Sequence, residues 1–375
     1  TPDAPEGIKG ISLFIVPKIL INADGGLEKQ NDVRCISLEK KLGIKGSPTA
    51  VLQYGDNAGA IGYLVGEENK GIEIMFGMMN HARFSVGLQG LSIAERAYQQ
   101  AVNYSQTRVQ GTPLACENGA TINHHPDVLR LLSVMRAEID AMRALIFIGG
   151  DAMDRAENAP SEKANYNQNR ASLLIPIIKG WITELSVAHC SDGVQIHGGM
   201  GFIEETGAAQ YFRDSRILPI YEGTTAIQAN DLMFRKTIRD EGNGIGALLD
   251  EIESEISQVA DSHRTAMLQA ASDVRLTLER LLSRANEPRF LASNAVSWLM
   301  QLGYLCGGWM AVKSADKATL NSATLAQDFV KTKQICADIY LQHSLPQVAA
   351  YAAIINNEEN AILNMDVSWL NRQTA

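Results

Sequence analysis

The sequence predicts a mainly α fold: a partial β domain over residues 1–65, a four-helix bundle over 66–241 and an additional C-terminal helical region over 245–375. Three observations carry this. The first 65 residues combine β-branched runs with Gly, Pro and Asn turn clusters. From Gly71 onward apolar residues recur at three- and four-residue spacing. A glycine-broken stretch, 241–246, then separates the bundle from a second helical pattern. At 375 residues the chain is long enough for two or three domains and a substantial interior.

Residues 8–16 are apolar and β-branched, Pro17 closes them, and Asn22-Ala23-Asp24-Gly25-Gly26 forms a turn cluster, so a strand is predicted there, with others at 33–38 and 49–54. So few strands rarely stand alone; this segment packs on the helices that follow or needs further strands. Ile72, Met75, Met79, Phe84, Leu88, Leu91, Ala94 and Ala97 predict a helix from Gly71 to about Gln106. After a loop over 111–125, Pro126 and Asp127 open a second helix that runs to about Asn158, with Leu132, Met135, Ile139, Met142 and Ile146 on one face. A third helix is expected from about Ala171 to His197, bent or interrupted by Pro176 and Gly180. A fourth begins near Thr225. Four long helices with short connections predict an antiparallel bundle.

Charge and cysteine usage narrow the function classes. The formal net charge is -9, and residues 244–375 carry 14 acidic against 10 basic residues, a net of -4, so a sequence-independent grip on nucleic acid is disfavoured. The five cysteines are scattered without a CxxC pair, which suits a reducing compartment and a cytoplasmic protein. No secretory signal is read at the start, and the first residue is not Met. Residues 290–312 are uncharged and long enough to cross a bilayer, but Ser293, Asn294, Gln301 and three glycines dilute them, so a buried helix is expected rather than a membrane span.

The residues that bear on chemistry cluster between Gln195 and Thr225. Glu222 follows the uncharged run 217–221, whose desolvation would make its carboxyl a better base toward an acidic C–H; a solvated turn residue is the alternative. Gly198-Gly199-Met200-Gly201 lacks the flanking strand and helix of a dinucleotide fingerprint. It is a helix stop, or bare backbone that admits a phosphate-bearing group. His189 and His197 have no partners that complete a ligand set, so no metal site is predicted. No GxSxG elbow supports a hydrolase, and the methionines at 75, 78 and 79 read as core.

These residues resemble the acyl-CoA dehydrogenase family. The resemblance runs from residue 1 to about Arg239 and is carried by Gly10-Ile11-Ser12-Leu13-Phe14-Ile15-Val16, by Lys41-Leu42-Gly43-Ile44-Lys45-Gly46-Ser47-Pro48-Thr49, by Gln195-Ile196-His197-Gly198-Gly199-Met200-Gly201-Phe202 and by Ile220-Tyr221-Glu222-Gly223-Thr224. The extra C-terminal region looks most like the subgroup that includes 3-methylmercaptopropionyl-CoA dehydrogenases. The resemblance implies an FAD-dependent enzyme of fatty acid metabolism that desaturates the Cα–Cβ bond of an acyl-CoA. Glu222 is then the α-proton base, and a hydride passes to flavin N5.

By the same resemblance Asn80, Arg83, Tyr221 and Gly223 match substrate-side positions, with Asn80 where many members carry Asp. Arg108, Gln195, His197, Gly198, Gly199 and Thr224 match cofactor positions, most of them serving a neighbouring subunit's FAD. It further implies a homo-oligomer and an electron-transfer flavoprotein as acceptor. It also implies that this chain starts midway through the family's β domain, lacks the N-terminal helical domain, and would hold FAD weakly or not at all when isolated. Two other readings stay open: a flavoprotein of this fold with a protective DNA-associated role, and a non-catalytic helical interaction module.

Overall fold

Among the described residues, six short strands form three separate antiparallel ladders. They are β1 (Leu13–Ile15), β2 (Ile19–Ile21), β3 (Leu27–Gln30), β4 (Val33–Leu38), β5 (Ala50–Tyr54) and β6 (Tyr63–Val65), paired β1 with β6, β2 with β3 and β4 with β5. The computed structural model describes residues 1–259, 261–357 and 360–370, with the backbone alone described at 161, 162, 261 and 262. Two compact units emerge, Thr1–Ala82 and Arg83–Ala375.

In the first unit the strand expected at 8–16 is shorter than its apolar run. Gly7–Gly10 folds as a 3-10 turn, with Gly7 at φ 74, and only Leu13–Ile15 pairs, Leu13 opposite Val65. The loops are tied by two polar side chains. Buried Asn31 donates to the carbonyls of Pro17 and Ile61 and accepts from the Ile61 N–H, while Asp32 accepts from the N–H groups of Asn57, Ala58 and Gly59. Leu20 is this unit's one buried apolar side chain among the described residues; Ile15, Ile21, Leu27 and Leu38 stay exposed. Hydrogen bonds rather than a core shape it.

The helices are α1 (Gly71–Ser105), α2 (Pro126–Asn158), α3 (Ser161–His197), the short α4 (Ala208–Ser215) and α5 (Thr225–Asn230), then α6 (Asn243–Ile256), α7 (Asp261–Ser283), α8 (Pro288–Leu320), α9 (Gln327–His343) and α10 (Gln347–Asn356). Helix α3 starts well before the expected Ala171, because Pro160 leads into a polar but helix-competent stretch that no apolar period reveals. It also runs unbroken through Pro176. A proline costs a helix one N–H, and this helix is held by its neighbours on many sides. At Gly180 an added Cβ would lie 2.7 Å from the Leu299 side chain of α8, so the glycine admits a packed neighbour instead of breaking the helix.

In the second unit Gly87 and Gly90 of α1 lie against Ile178 and Ile182 of α3. The core joins α2, α3 and α8 through Met135, Ile139, Met142, Leu174, Trp181, Trp298 and Trp309, all fully buried or nearly so. After α5 the chain widens into a π-helical segment, Asp231–Ile238. There Thr237 Oγ1 donates to the Leu232 carbonyl and accepts from Trp298 Nε1 at 3.0 Å. Helix α8 is buried along most of its length, as expected for 290–312. Among the described residues one helix, the one that includes α3, is long and apolar enough to cross a membrane, and 78% of its apolar window is buried inside the protein.

Candidate active site and cofactor groove

Glu222 sits on a tight loop between α4 and α5. Leu218 and Pro219 turn inward, the Thr225 N–H donates to the Pro219 carbonyl at 2.9 Å, and Tyr221 N–H donates to Ile217 O at 3.0 Å. Two successive residues then adopt left-handed backbone, Glu222 at φ 55 and Gly223 at φ 93. That conformation disfavours any residue but glycine. It also reverses the chain, so that Thr224 caps α5 by accepting from the Ile227 N–H at 3.3 Å.

The loop's inner side is held by buried polar groups. Lys179 of α3 donates to the Gly223 carbonyl at 2.6 Å, Gln228 donates to the carbonyls of Glu222 and Gly223 at 3.3 and 3.4 Å, and Thr225 Oγ1 donates to Glu184 at 2.5 Å. Burial lowers the Lys179 ammonium to about 8, with Glu184 and Glu222 drawing it up and Arg83 pushing it down. On the outer side Tyr221 is half-buried and donates to Gln89; burial first, and then the Glu222 charge, raises its phenol. Among the described residues the N–H groups of Glu222, Gly223 and Thr224 donate to no acceptor.

The carboxyl of Glu222 itself is exposed, and Ile220 before it is 43% exposed. Of residues 217–221, Leu218 and Pro219 point into the bundle, so they do not cover the carboxyl. Arg83 is buried and lies 3.6 Å from Asp231, which also pairs with Arg235; the Arg83 Nε has no hydrogen-bond partner among the described residues. Asn80 lies on α1 three residues earlier, within the first unit.

The second constellation lies at the far end of α3. Tyr104, Arg108, His125, His197, Gly198 and Gly199 line a groove of about 510 Å³. His197 is buried and stacks on Tyr104, ring centroids 4.4 Å apart. Its Nδ1 lies 2.6 Å from the Gly193 carbonyl, which only accepts, so Nδ1 carries the proton and Nε2, without a partner among the described residues, is left as an acceptor or a second donor. Gly198 takes φ 59 and ends the helix, and an added Cβ at Gly198 or Gly199 would meet nothing within 4 Å. Arg108 is exposed, its one side-chain hydrogen bond among the described residues a long 3.5 Å to Gln110. A guanidinium, an imidazole and bare backbone around an open groove suit an anionic, phosphate-bearing ligand. Gln195 is exposed and lies outside this lining, and Thr224 is exposed at the other constellation.

The sequence assigns no site role to Lys179 or Gln228. A lone charge inside Ile177-Ile178-Lys179-Gly180-Trp181 was the available signal. Tyr104 and His125 carried none, since only the fold brings them to the glycine turn. Among the described residues no group of three or more His, Cys, Asp or Glu side chains converges as metal ligands do.

Comparison with known proteins places these features in a common setting. Residues 69–236 match the family model described as acyl-CoA dehydrogenase, C-terminal domain, and residues 248–366 match acetyl-CoA dehydrogenase C-terminal like. The chain is 45% identical to 3-methylmercaptopropionyl-CoA dehydrogenase of Ruegeria pomeroyi, over 97% of this chain and 63% of that protein. It is 31% identical to the broad-specificity linear acyl-CoA dehydrogenase FadE5 of Mycobacterium tuberculosis, over 97% of this chain and 64% of that protein. It thus spans less than two thirds of the length of these relatives. An acyl-CoA dehydrogenase from Bacillus anthracis, solved in complex with FAD, shares the fold at TM-score 0.70 and 22% identity, over 97% of this chain and 64% of the other. With the helical fold, both successive family models and near-complete coverage at 45% identity in agreement, the chain belongs to the acyl-CoA dehydrogenase family.

Proposed function

We propose that the full protein carries out FAD-dependent α,β-desaturation of an acyl-CoA thioester, with Glu222 as the base that takes the α-proton. The observation that carries this is the clamped loop: a carboxylate at φ 55, free to face a ligand, beside N–H groups that have no acceptor among the described residues. A thioester carbonyl that accepts from the Glu222 N–H would gain negative charge as the α-proton leaves, and fixed backbone donors stabilise such charge. Tyr221 and Gly223 flank this position, and Arg83 with Asn80 stands as the proposed substrate-side pair on α1.

The groove residues fit the anionic half of a flavin dinucleotide. Arg108, His197, Gly198 and Gly199 would hold its pyrophosphate, with Gln195 as a further contact, while Thr224, at the Glu222 loop, would contact the flavin that serves that loop. When bound, FAD supplies the two-electron acceptor for the β-hydride. On α3 Lys179 and His197 are separated by roughly 27 Å at 1.5 Å per residue, about the diameter of a small domain. The groove and the Glu222 loop are therefore not two walls of one small pocket in a single chain. This separation supports a homo-oligomer in which one subunit's groove completes its partner's site. An electron-transfer flavoprotein is the proposed acceptor, and a cytoplasmic location the proposed setting.

Flavin bleaching by a panel of acyl-CoAs tests the reading in the full-length protein. Glu222→Gln is expected to slow bleaching by at least about 1,000-fold, within the loss typical when a proton-transfer group and its electrostatics are removed together. Bleaching at the wild-type rate in that variant would remove Glu222 from the chemistry.

A further inference from the structure

Lys179 is a fully buried lysine that the proposed desaturation does not use. Burying an ammonium is costly unless the charge is paired, yet among the described residues Lys179 forms no ion pair; its partner is the Gly223 carbonyl. The nearby carboxylate, Glu184, is engaged by the Thr225 hydroxyl. The charged groups that face the lysine are Glu184 on its own helix, Arg83 on α1 and Glu222 on the loop. If the loop needed only packing, a methionine of similar volume would serve without the desolvation cost.

The loop needs more than packing because of its backbone. Glu222 and Gly223 are both left-handed, and a non-glycine residue there relaxes unless its surroundings hold it. Gln228 spans both carbonyls but at long distances, 3.3 and 3.4 Å, whereas Lys179 reaches the Gly223 carbonyl at 2.6 Å. A charge-assisted bond of that length is the stronger hold.

We propose that Lys179 is a positioning residue for the base: its bond to the Gly223 carbonyl fixes the Glu222 side chain and the Glu222 N–H relative to one another for α-proton removal. The inference rests on the reading of Glu222 as base. Loss of the bond lets the loop drift while substrate contacts elsewhere persist. Proton removal then falls and binding does not.

The test uses the full-length, flavin-loaded protein in D2O without an electron acceptor, with the straight-chain acyl-CoA that bleaches it best. Exchange of the α-hydrogen is followed by mass spectrometry and affinity by calorimetry. Lys179→Met is expected to slow exchange by about 10- to 100-fold, the order of loss for a reacting group misplaced by ~1 Å, with Kd changed less than about threefold. Lys179→Gln keeps a polar end but is one atom too short to reach the carbonyl. Should Lys179→Met not fold, the same loss is required of Lys179→Gln. Glu222→Gln runs in parallel. Exchange that survives in Glu222→Gln overturns the base assignment and this inference with it. Exchange lost in Glu222→Gln but kept within about threefold in the Lys179 variants overturns the role of Lys179 alone, as does a loss of exchange matched by an equal loss of affinity.

Discussion

Lys333 of α9 places its Nζ 2.9 Å from Asp140 Oδ2 on α2, joining the C-terminal helical region to the bundle through a carboxylate that is almost fully buried. Asp140 also holds Arg143 at 3.0 Å and Arg136 at 3.5 Å, and Arg143 continues to Glu95 of α1. The pairing is unequal. Asp140→Asn leaves three cations facing a neutral amide and is expected to destabilise the protein by about 3 kcal/mol, the usual result of removing one member of a buried ion group. Lys333→Met removes one cation of three and adds apolar contact, so a change below about 1 kcal/mol is expected. Urea unfolding of the two variants checks this, and equal losses would show that the cations do not share the carboxylate as the geometry indicates.

Burial of Lys179 also makes a prediction about pH. Its ammonium is lowered from 10.5 to about 8, chiefly by desolvation, so between those values the unfolded chain binds the proton that the folded chain has released. Stability contributed by this group therefore rises as pH goes from 8 to 10.5, and its cost is fully present below 8. At 1.36 kcal/mol per pKa unit the span is roughly 3 kcal/mol. Lys179→Met is expected to remove this slope and to be as stable as wild type or more so at pH 7. Urea midpoints of both proteins at pH 7 and pH 10 give the comparison; a wild-type profile parallel to that of Lys179→Met would rule the buried charge out as its source.

Punctuation residues made much of the helical framework legible. Gly71 and Pro126 start α1 and α2 where composition said, and Asn158 ends α2, because a turn former or a missing N–H acts locally. Pro176 does not interrupt α3, for the complementary reason. Its local cost is real, but the tertiary contacts of α3 outweigh it, and no local pattern encodes those contacts. The glycines of 290–312 were legible only as diluted hydrophobicity. In the fold an added Cβ at Gly303 would stand 2.3 Å from Trp181, and one at Gly307 would stand 2.1 Å from the Tyr340 hydroxyl oxygen, so these positions admit two large rings. Glu222 stood out by its neighbours in sequence. What holds it came from α3 and α5, and long-range pairs such as Lys179 with Gly223 leave no spacing to read.

The distance along α3 between the Lys179 end and the His197 end yields the last prediction. If one subunit's Arg108 groove serves the partner's Glu222, then Glu222→Gln and Arg108→Ala, each inactive or nearly so alone, complement each other when full-length chains are mixed. A hybrid dimer then holds one doubly defective site and one intact site. Random mixing makes half the dimers hybrids, so activity is expected to return to about a quarter of wild type. If groove and loop act within one chain, every site in the mixture carries a defect and no activity returns. Arg108→Ala alone is expected to weaken flavin retention by about 10- to 100-fold, the worth of a charge-assisted hydrogen bond to a phosphate, read as the ratio of flavin to protein absorbance. In the mixture half of the chains keep an intact groove whether or not hybrids form, so that ratio stays at the mean of the two variants and activity alone reports complementation.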